Sequence, residues 1–249
     1  MSTLVVDERP DRVFVALNRP DARNAIDQQM VDELHDVCAA LEREPKVLVI
    51  SGTGGTFASG ADIRQLRDRR RDDALAGINT KLFMRIAALP MPVIAAIDGY
   101  ALGGGAELAY AADFRIATPS LKIGNPETGL GIIAAAGATW RLGELVGEPV
   151  AKQILLAGKV LTADEALALH LVTEVHPADK LLAAADALAE RILRSDPAAL
   201  QATKRAMAAP RSAHPDIELQ EQAVLFESDA KYQRMTAFLE RKNNAEGKK

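Results

Sequence analysis

Two glutamates, Glu107 and Glu127, stand twenty residues apart in stretches that are otherwise apolar and rich in glycine. A buried carboxylate is costly unless it is paired or takes part in chemistry. Two carboxyl groups that converge on one cleft can divide a proton transfer, one giving a proton while the other accepts one. Structural interpretations also exist, since Glu107 could complement a helix dipole and Glu127 could cap a turn. The glycine clusters upstream favour the catalytic interpretation.

The first glycine cluster, residues 51–62, follows an apolar strand and leads into a helix. This order of elements is typical of nucleotide-binding sites, but the segment does not match either of the two known nucleotide-binding motifs. Phe57 stands where the dinucleotide fingerprint needs its third glycine, and Gly60 is followed by Ala61-Asp62 where a phosphate loop needs Lys-Ser or Lys-Thr. We therefore expect neither an ATP site nor an NAD site, but a loop with accessible backbone N–H groups.

The second cluster, Gly103–Gly105, stands directly before the helix that carries Glu107. Each glycine costs up to about 1 kcal/mol against alanine in a helix, so three in a row indicate that the backbone approaches something closely. Amides from the two clusters could hold a carbonyl oxygen that becomes an oxyanion, and losing one such donor costs about 3–4 kcal/mol in a barrier. The alternative is tight packing of helix on strand.

The elements that position these groups alternate between strand and helix. Four short apolar runs predict strands at Val13–Leu17, Val47–Ile50, Val93–Ile97 and Phe114–Ala117. Between the first two, apolar residues recur at three- and four-residue steps and predict a helix from Asp27 to Arg43. The buried face of this helix is expected to contain Ile26, Met30, Leu34, Val37 and Leu41. Alternating strands and helices predict an α/β core.

The last third of the chain is predicted to be helical. A capping box at Thr162 and Glu165 and a start at Ser195-Asp196-Pro197 mark two helices. A helical pattern then runs from Pro215 to Lys242, with a break near Ser228-Asp229, before a solvated tail over residues 243–249. A further charged helix is predicted over Arg64–Asp73, either simply solvated or helping to hold phosphates.

Composition excludes several classes of protein. Thirty basic and thirty-four acidic residues among 249 give a net charge of −4, without the basic footprint of a nucleic-acid binder. We expect neither a membrane span nor a signal peptide, and hence a cytoplasmic protein. Cys38, the only cysteine, lies on an apolar helix stripe and is expected to be a buried structural thiol. The histidines lack metal-ligand spacing, so no metal is expected: His35, His170, His176 and His214.

Four segments, in order and spacing, resemble the enoyl-CoA hydratase/isomerase (crotonase) family across nearly the whole chain. They are LNRPDARNAI (Leu17–Ile26), GTFASGADI (Gly55–Ile63), DGYALGGGAELAYAADFRIA (Asp98–Ala117) and GNPETGLGI (Gly124–Ile132). The resemblance implies an α/β fold, a crotonase-like spiral of repeated ββα units over residues 1–194. It also implies a C-terminal helical oligomerisation region over residues 195–249 that forms homotrimers or homohexamers (dimers of trimers).

The resemblance also implies roles for individual residues. The amides of Ser59 and Gly104 would form the oxyanion hole, Glu127 would serve as acid and base at the α-carbon, and Glu107 would activate water. Residues along coenzyme A would be Ala22, Arg23, Ala25, Ala58, Ser59, Gly60, Ala61, Asp62, Ile63 and Gly104. The substrate would be an acyl-CoA thioester, with no metal or redox cofactor. Four positions depart from the family pattern near the helix that borders the active site: Ala134, Ala135, Ala138 and Trp140.

The implied activity is hydration of trans-2-enoyl-CoA to 3-hydroxyacyl-CoA, as in the β-oxidation of fatty acids. A 3,2-enoyl-CoA isomerase is the nearest alternative, because family isomerases can work with a single acid/base carboxylate. A non-catalytic acyl-CoA binding protein of the same fold is a third possibility. The retained pair Glu107 and Glu127 favours the hydratase.

Overall fold

The computed structural model describes residues 2–246, with side chains described through Arg241. It contains two compact units, one that ends at Ile192 and one that begins at Leu193, and each is described by itself. None of the helices among the described residues is both long and apolar enough to cross a membrane. The predicted trimerisation role of the C-terminal helices remains a prediction.

The first unit is built on two sheets. Its strands are β1 (Leu4–Glu8), β2 (Arg12–Leu17), β3 (Val47–Gly52), β4 (Val93–Ile97), β5 (Tyr100–Leu102), β6 (Phe114–Ala117), β7 (Lys122–Gly124), β8 (Leu161–Thr162) and β9 (Glu174–Val175). A six-stranded sheet has the order β1-β2-β3-β4-β6-β9, and its pairs are parallel except for β1 with β2. A three-stranded sheet has the order β5-β7-β8.

The four strands predicted from apolar runs are confirmed in β2, β3, β4 and β6. Strands β3 and β4 are almost wholly apolar and are buried at nearly every residue, as is usual for central strands of a parallel sheet. The prediction missed the short strands of the second sheet. Strands β5 and β7 contain three residues each, including the half-exposed Tyr100, so they carry little apolar signal.

Helices fill the connections between the strands. They are α1 (Gln28–Arg43), α2 (Ile63–Asp68), α3 (Arg71–Ala76), α4 (Ile78–Ala87), α5 (Gly104–Ala111), α6 (Ala138–Val146), α7 (Glu148–Leu155), α8 (Ala163–Ala168) and α9 (Leu181–Leu193). Helix α1 begins as predicted, because the side chain of Asp27 accepts a hydrogen bond from the Met30 amide. The predicted capping box at Thr162 and Glu165 is also present.

One helix prediction in the first unit is wrong. Residues 64–73 do not form one charged helix, because α2 ends at Asp68 and α3 begins only at Arg71. Arg69 (φ −62°, ψ 145°) and Arg70 (φ −120°, ψ −174°) are extended and interrupt it. The chain therefore turns at these two arginines.

The second unit contains α10 (Pro197–Ala208), α11 (Asp216–Phe226) and α12 (Asp229–Glu246). The side chain of Asp196 caps α10, and the predicted break near Ser228 separates α11 from α12. The predicted tail is wrong for residues 243–246, whose backbone continues α12. Its last residues, 247–249, lie outside the described part of the chain.

Candidate active site

Glu107 lies in the first turn of α5, a helix whose first seven residues are all buried. Its side chain is only 4% exposed. The backbone N–H groups of Ala136 and Ala138 donate to Glu107 Oε1 at 2.7 Å and 3.2 Å. These bonds fix one carboxyl oxygen, while Oε2 accepts no hydrogen bond from the described residues.

Glu127 begins a short 3₁₀ helix, Glu127–Leu130, just after β7. It is 8% exposed, and its Oε1 accepts only a long hydrogen bond, 3.5 Å, from Asn125 Nδ2. The Oε2 atom is buried, and none of the described residues donates to it. Asn125 is itself held in place by the hydroxyl of Tyr110, which donates to Asn125 Oδ1 at 3.1 Å. The carboxyl group of Glu127 is therefore positioned but weakly solvated.

The two glutamates line one cleft of about 500 Å³, as the sequence predicted. Burial, together with the nearby Glu127 carboxylate, raises the pKa of Glu107 to about 7. Burial also raises the pKa of Glu127. Near neutral pH the pair therefore holds a proton that isolated glutamates would have lost, which suits groups that give and take protons.

At each position of the second cluster, a side chain larger than that of glycine would meet a different neighbour. Gly103 has a positive φ of 53°, and a Cβ atom on it would stand 2.9 Å from Glu127 Oε1. A Cβ atom on Gly104 would face the Ala61 amide nitrogen at 3.4 Å. A Cβ atom on Gly105 would stand only 2.2 Å from the carbonyl oxygen of Ala58. Gly105 thus serves packing, the alternative noted above, while Gly103 and Gly104 border the cleft.

The prediction that the Ser59 amide is free to donate to a ligand is wrong. This N–H group already donates to the carbonyl oxygen of Arg23 at 3.1 Å. In contrast, the amides of Ala61 and Gly104 donate to no acceptor among the described residues, and both residues line the cleft. Gly104 stands at the start of α5, where an N–H group has no acceptor within its own helix. These two amides are the donors available to a carbonyl oxygen.

The residues predicted to contact coenzyme A fall into two groups. Five of them line the cleft: Ser59, Gly60, Ala61, Ile63 and Gly104. Loop residues Ala22 and Arg23 lie beside this group, since their carbonyl oxygens accept from the Ser59 hydroxyl and amide. No cleft contact is recorded for Ala25, which follows them in the same loop.

Two members of that predicted set have structural roles. Ala58 is wholly buried, so its side chain is not available to a ligand, which corrects the prediction. The carboxylate of Asp62 caps α2 and forms an ion pair with Arg19 at 3.1 Å. That pairing lowers the pKa of Asp62 against the effect of burial and commits the side chain to holding the loop.

The positions that depart from the family pattern lie around the glutamates. Ala135 lines the cleft, and its carbonyl oxygen accepts from the Thr80 hydroxyl at 3.1 Å. Ala134 faces a neighbouring cavity of about 430 Å³ that also reaches Glu127. Trp140 is 48% exposed and borders a smaller cavity that is lined by Glu107 and Tyr110 as well. These residues therefore border the space around the two glutamates.

Sequence reasoning missed two asparagines. Asn24 is fully buried and links two loops, since its Nδ2 donates to the carbonyl oxygens of Thr53 (2.9 Å) and Thr56 (2.6 Å). Asn79 lines the cleft, and its buried Oδ1 has no donor among the described residues. Its position within the motif segment Leu17–Ile26 was a usable signal for Asn24, whose φ in the structure is 54°, a conformation that asparagine adopts more readily than most residues. Nothing in the sequence pattern distinguished Asn79.

Cys38 and the histidines lie apart from the cleft. Cys38 is buried as expected, and burial raises the pKa of its thiol to about 11. His35 contacts Arg85, while His176 and His214 pair with Glu174 and Glu218. His170, at the end of α8, is exposed with a positive φ of 57°.

The chain is similar to known proteins along most of its length. Residues 12–247 match the family described as enoyl-CoA hydratase/isomerase. The chain belongs to the enoyl-CoA hydratase/isomerase family. Among its relatives, the crotonyl-CoA hydratase of Syntrophomonas wolfei is 37% identical over 96% of this chain and 95% of that protein. The 2,3-dehydroadipyl-CoA hydratase of Escherichia coli is 35% identical over 97% of both chains.

Solved structures of family members share the fold. The enoyl-CoA hydratase of Bacillus anthracis superposes with a TM-score of 0.91 at 31% identity, covering 96% of both chains. That of Thermoplasma volcanium superposes with a TM-score of 0.87 at 34% identity, over 95% of this chain and 97% of that one. The fold is therefore the crotonase fold that the sequence motifs implied.

Proposed function

We propose that this member of the family is an enoyl-CoA hydratase, which adds water across the double bond of a trans-2-enoyl-CoA to give 3-hydroxyacyl-CoA. The observation that carries the proposal is the convergence of Glu107, Glu127 and the free amides of Ala61 and Gly104 on one cleft. Its relatives include enzymes named crotonyl-CoA hydratase and short-chain-enoyl-CoA hydratase. Fatty-acid β-oxidation is the corresponding metabolic setting.

The amides provide the electrostatic part of the mechanism. Attack of water at the β-carbon moves negative charge onto the thioester oxygen. In the proposal, the N–H groups of Ala61 and Gly104 donate to that oxygen, and preorganised donors of this kind stabilise an enolate-like transition state. Ala61 takes the role that the family resemblance gives to Ser59, because the Ser59 amide already donates a hydrogen bond to the carbonyl oxygen of Arg23.

The carboxyl groups provide the acid and base. Glu107 takes the proton of the attacking water, and its ionised form is supported by two backbone donors. Glu127 gives a proton to the α-carbon, and its poorly solvated Oε2 favours the protonated form. The reverse reaction exchanges these roles. Coenzyme A is part of the substrate, and the proton transfers need neither a metal nor a redox cofactor.

Coenzyme A is placed along the loop containing Ala22, Arg23 and Ala25 and the adjoining segment from Ser59 to Ile63. This placement is supported by the contacts between the two loops beside the proposed donors. We also propose that the protein is cytoplasmic and assembles as a homotrimer or homohexamer through its C-terminal helices. The exposed apolar side chains of those helices support the assembly.

A hydration assay tests the proposal. Purified protein is mixed with crotonyl-CoA, and the ultraviolet absorbance of the conjugated enoyl thioester is followed with time. We expect the absorbance to fall as water adds, and to stay nearly constant with Glu107→Gln. Absence of hydration with short, medium and long enoyl chains would reject the hydratase. Conversion of 3-enoyl-CoA to 2-enoyl-CoA without hydration would establish the isomerase instead.

A further inference from the structure

Charged and polar side chains line one wall of the cleft beyond the glutamates. This wall is formed by α2, α3 and the first turn of α4, and its polar members are Arg69, Arg70, Asp73, Asn79 and Thr80. The cleft also has apolar lining at Leu130, Ile132 and Ile133. A plain hydrocarbon chain would meet the apolar lining favourably but would leave the cationic wall without a partner.

Arg69 and Arg70 are the arginines of this segment that line the cleft, and Arg69 is the more buried of the two. Arg67 and Arg71 are 77% and 84% exposed, and each pairs with the aspartate that follows it. Arg69 is half-buried and lines the cleft, and its guanidinium forms no hydrogen bond or ion pair with a described residue. Arg69 reaches the cleft because the backbone between α2 and α3 is extended. If the helix continued through Arg69, the chain would follow a different path at this residue.

The other charges nearby leave Arg69 available to an anion. Asp73, the acidic residue of the same wall, accepts a hydrogen bond from the Arg70 amide at 2.8 Å and so caps α3. Burial raises the pKa values of Glu107 and Glu127, which reduces the negative charge deeper in the cleft near neutral pH. A guanidinium presents paired donors that match a carboxylate.

The proposed course of coenzyme A leads the acyl chain into this cleft. The loop of residues 22–26 lies against residues 59–61, and residues 22–25 do not line the cleft. If coenzyme A follows that loop and the thioester oxygen meets Ala61 and Gly104, the acyl chain continues past the glutamates. The lining of the cleft then available to its far end includes Arg69 and Asn79.

We propose that the preferred substrates are enoyl-CoA thioesters whose acyl chain ends in a carboxylate, and that Arg69 binds this terminal carboxylate. The inference rests on the proposed function and narrows its substrate class. Arg69 is thus a specificity residue and takes no part in the addition of water. The reaction is unchanged, because the distal carboxylate is remote from the bond that is hydrated.

The test compares two substrates and two variants. Hydration of crotonyl-CoA and of the mono-CoA thioester of trans-2-hexenedioic acid is measured with the unaltered protein, with Arg69→Met and with Arg67→Met. We expect Arg69→Met to raise KM for the hexenedioyl thioester by about tenfold or more, as loss of a charged hydrogen bond implies. Its kinetic constants for crotonyl-CoA should be unchanged. Arg67→Met, the matched exposed control, should resemble the unaltered protein with both substrates.

The outcomes separate this inference from the proposed function. Equal losses on both thioesters in Arg69→Met would show that Arg69 binds the phosphates of coenzyme A, and would overturn the inference. So would an unaltered protein that hydrates crotonyl-CoA but not the hexenedioyl thioester, while the hydratase assignment would survive. If the unaltered protein hydrates neither, the proposed function itself fails.

Discussion

The carboxylate of Glu127 lies directly against the backbone of Gly103, so that a methyl group on this glycine would stand 2.9 Å from Glu127 Oε1. Gly103 also holds a left-handed conformation (φ 53°, ψ −124°), which glycine adopts at little cost. One glycine therefore sets both the direction of the chain into α5 and the space that the carboxyl group of Glu127 occupies.

Replacing Gly103 should impair both stability and turnover. In Gly103→Ala the strained backbone should cost about 1–3 kcal/mol of unfolding free energy. The added methyl group should also displace Glu127 and lower kcat. Gly129→Ala is the matched control. Gly129 is an exposed glycine in the 3₁₀ helix that Glu127 begins, and a Cβ atom on it would meet nothing within 4 Å. Thermal unfolding and crotonyl-CoA hydration measure the two effects, and equal behaviour of the two variants would contradict the argument.

The division of labour between the glutamates can be measured without hydration. In D₂O, a base at the α-carbon exchanges the α-hydrogens of butyryl-CoA, which NMR detects. We expect Glu127→Gln to slow this exchange by about 10²–10⁴-fold, and Glu107→Gln to retain it while losing hydration. Retained affinity for the thioester in both variants would show that the site is intact. The opposite pattern of exchange would mean that the two roles are reversed.

Stability should depend on pH through Glu107. Because burial raises the pKa of Glu107 from 4.5 to about 7, ionising it costs folding free energy. Its stabilising contribution is complete below pH 4.5 and is lost as the pH rises through 7. Glu107→Gln removes the ionisation, so its stability relative to the unaltered protein should rise by about 2 kcal/mol between pH 5 and pH 8. Urea unfolding at the two pH values measures this difference, and a constant difference would contradict it.

Asn24 should be among the least replaceable residues outside the catalytic pair. In Asn24→Asp, the two donors to Thr53 and Thr56 are lost and a carboxylate faces their carbonyl oxygens. We expect a loss of about 3 kcal/mol or more in unfolding free energy. Asn18→Asp is the control, because Asn18 Oδ1 acts as an acceptor from the Thr53 hydroxyl, a role that aspartate keeps. Similar denaturant midpoints for the two variants would refute this prediction.

The C-terminal helices should mediate self-association. Large apolar side chains on α11 and α12 are 48–73% exposed in the single chain: Leu219, Val224, Phe226, Tyr232, Met235, Phe238 and Leu239. Apolar surface of this kind is typical of protein interfaces. Light scattering should give the mass of a trimer or hexamer, and Leu219→Lys with Phe238→Lys should lower it. A monomeric mass for the unaltered protein would refute the assembly.

The sequence predicted the parts of the fold whose residues carry a strong periodic or apolar signal. Helix α1 and the central strands β3 and β4 are of this kind, because burial selects their residue types at nearly every position. The short strands β5 and β7 lack such a pattern, and backbone pairing across distant segments defines them. The interruption at Arg69 and Arg70 was missed because the charged residues on both sides fit a helix equally well.

Some features of the candidate site could likewise be predicted from the sequence and others could not. The acidic pair was predictable because glutamates are unusual in apolar, glycine-rich segments. The identity of the proposed oxyanion donor was not, because the motif does not show that the Ser59 amide donates to the carbonyl oxygen of Arg23 while the Ala61 amide donates to no acceptor among the described residues. Hydrogen-bond partners of main-chain groups depend on how loops meet in three dimensions, and a motif does not record them.

Because the proposed donors at Ala61 and Gly104 belong to the main chain, related proteins can differ in side chains and still keep them. In the proposed mechanism, exchange of side chains around the cleft, at positions such as Arg69, Asn79 or Ala135, would change which acyl groups are accepted without removing the two amides that polarise the carbonyl. These two donors are lost only if a change moves the backbone or removes an N–H group, as proline would at either position. New preferences can thus accumulate while the underlying reaction persists.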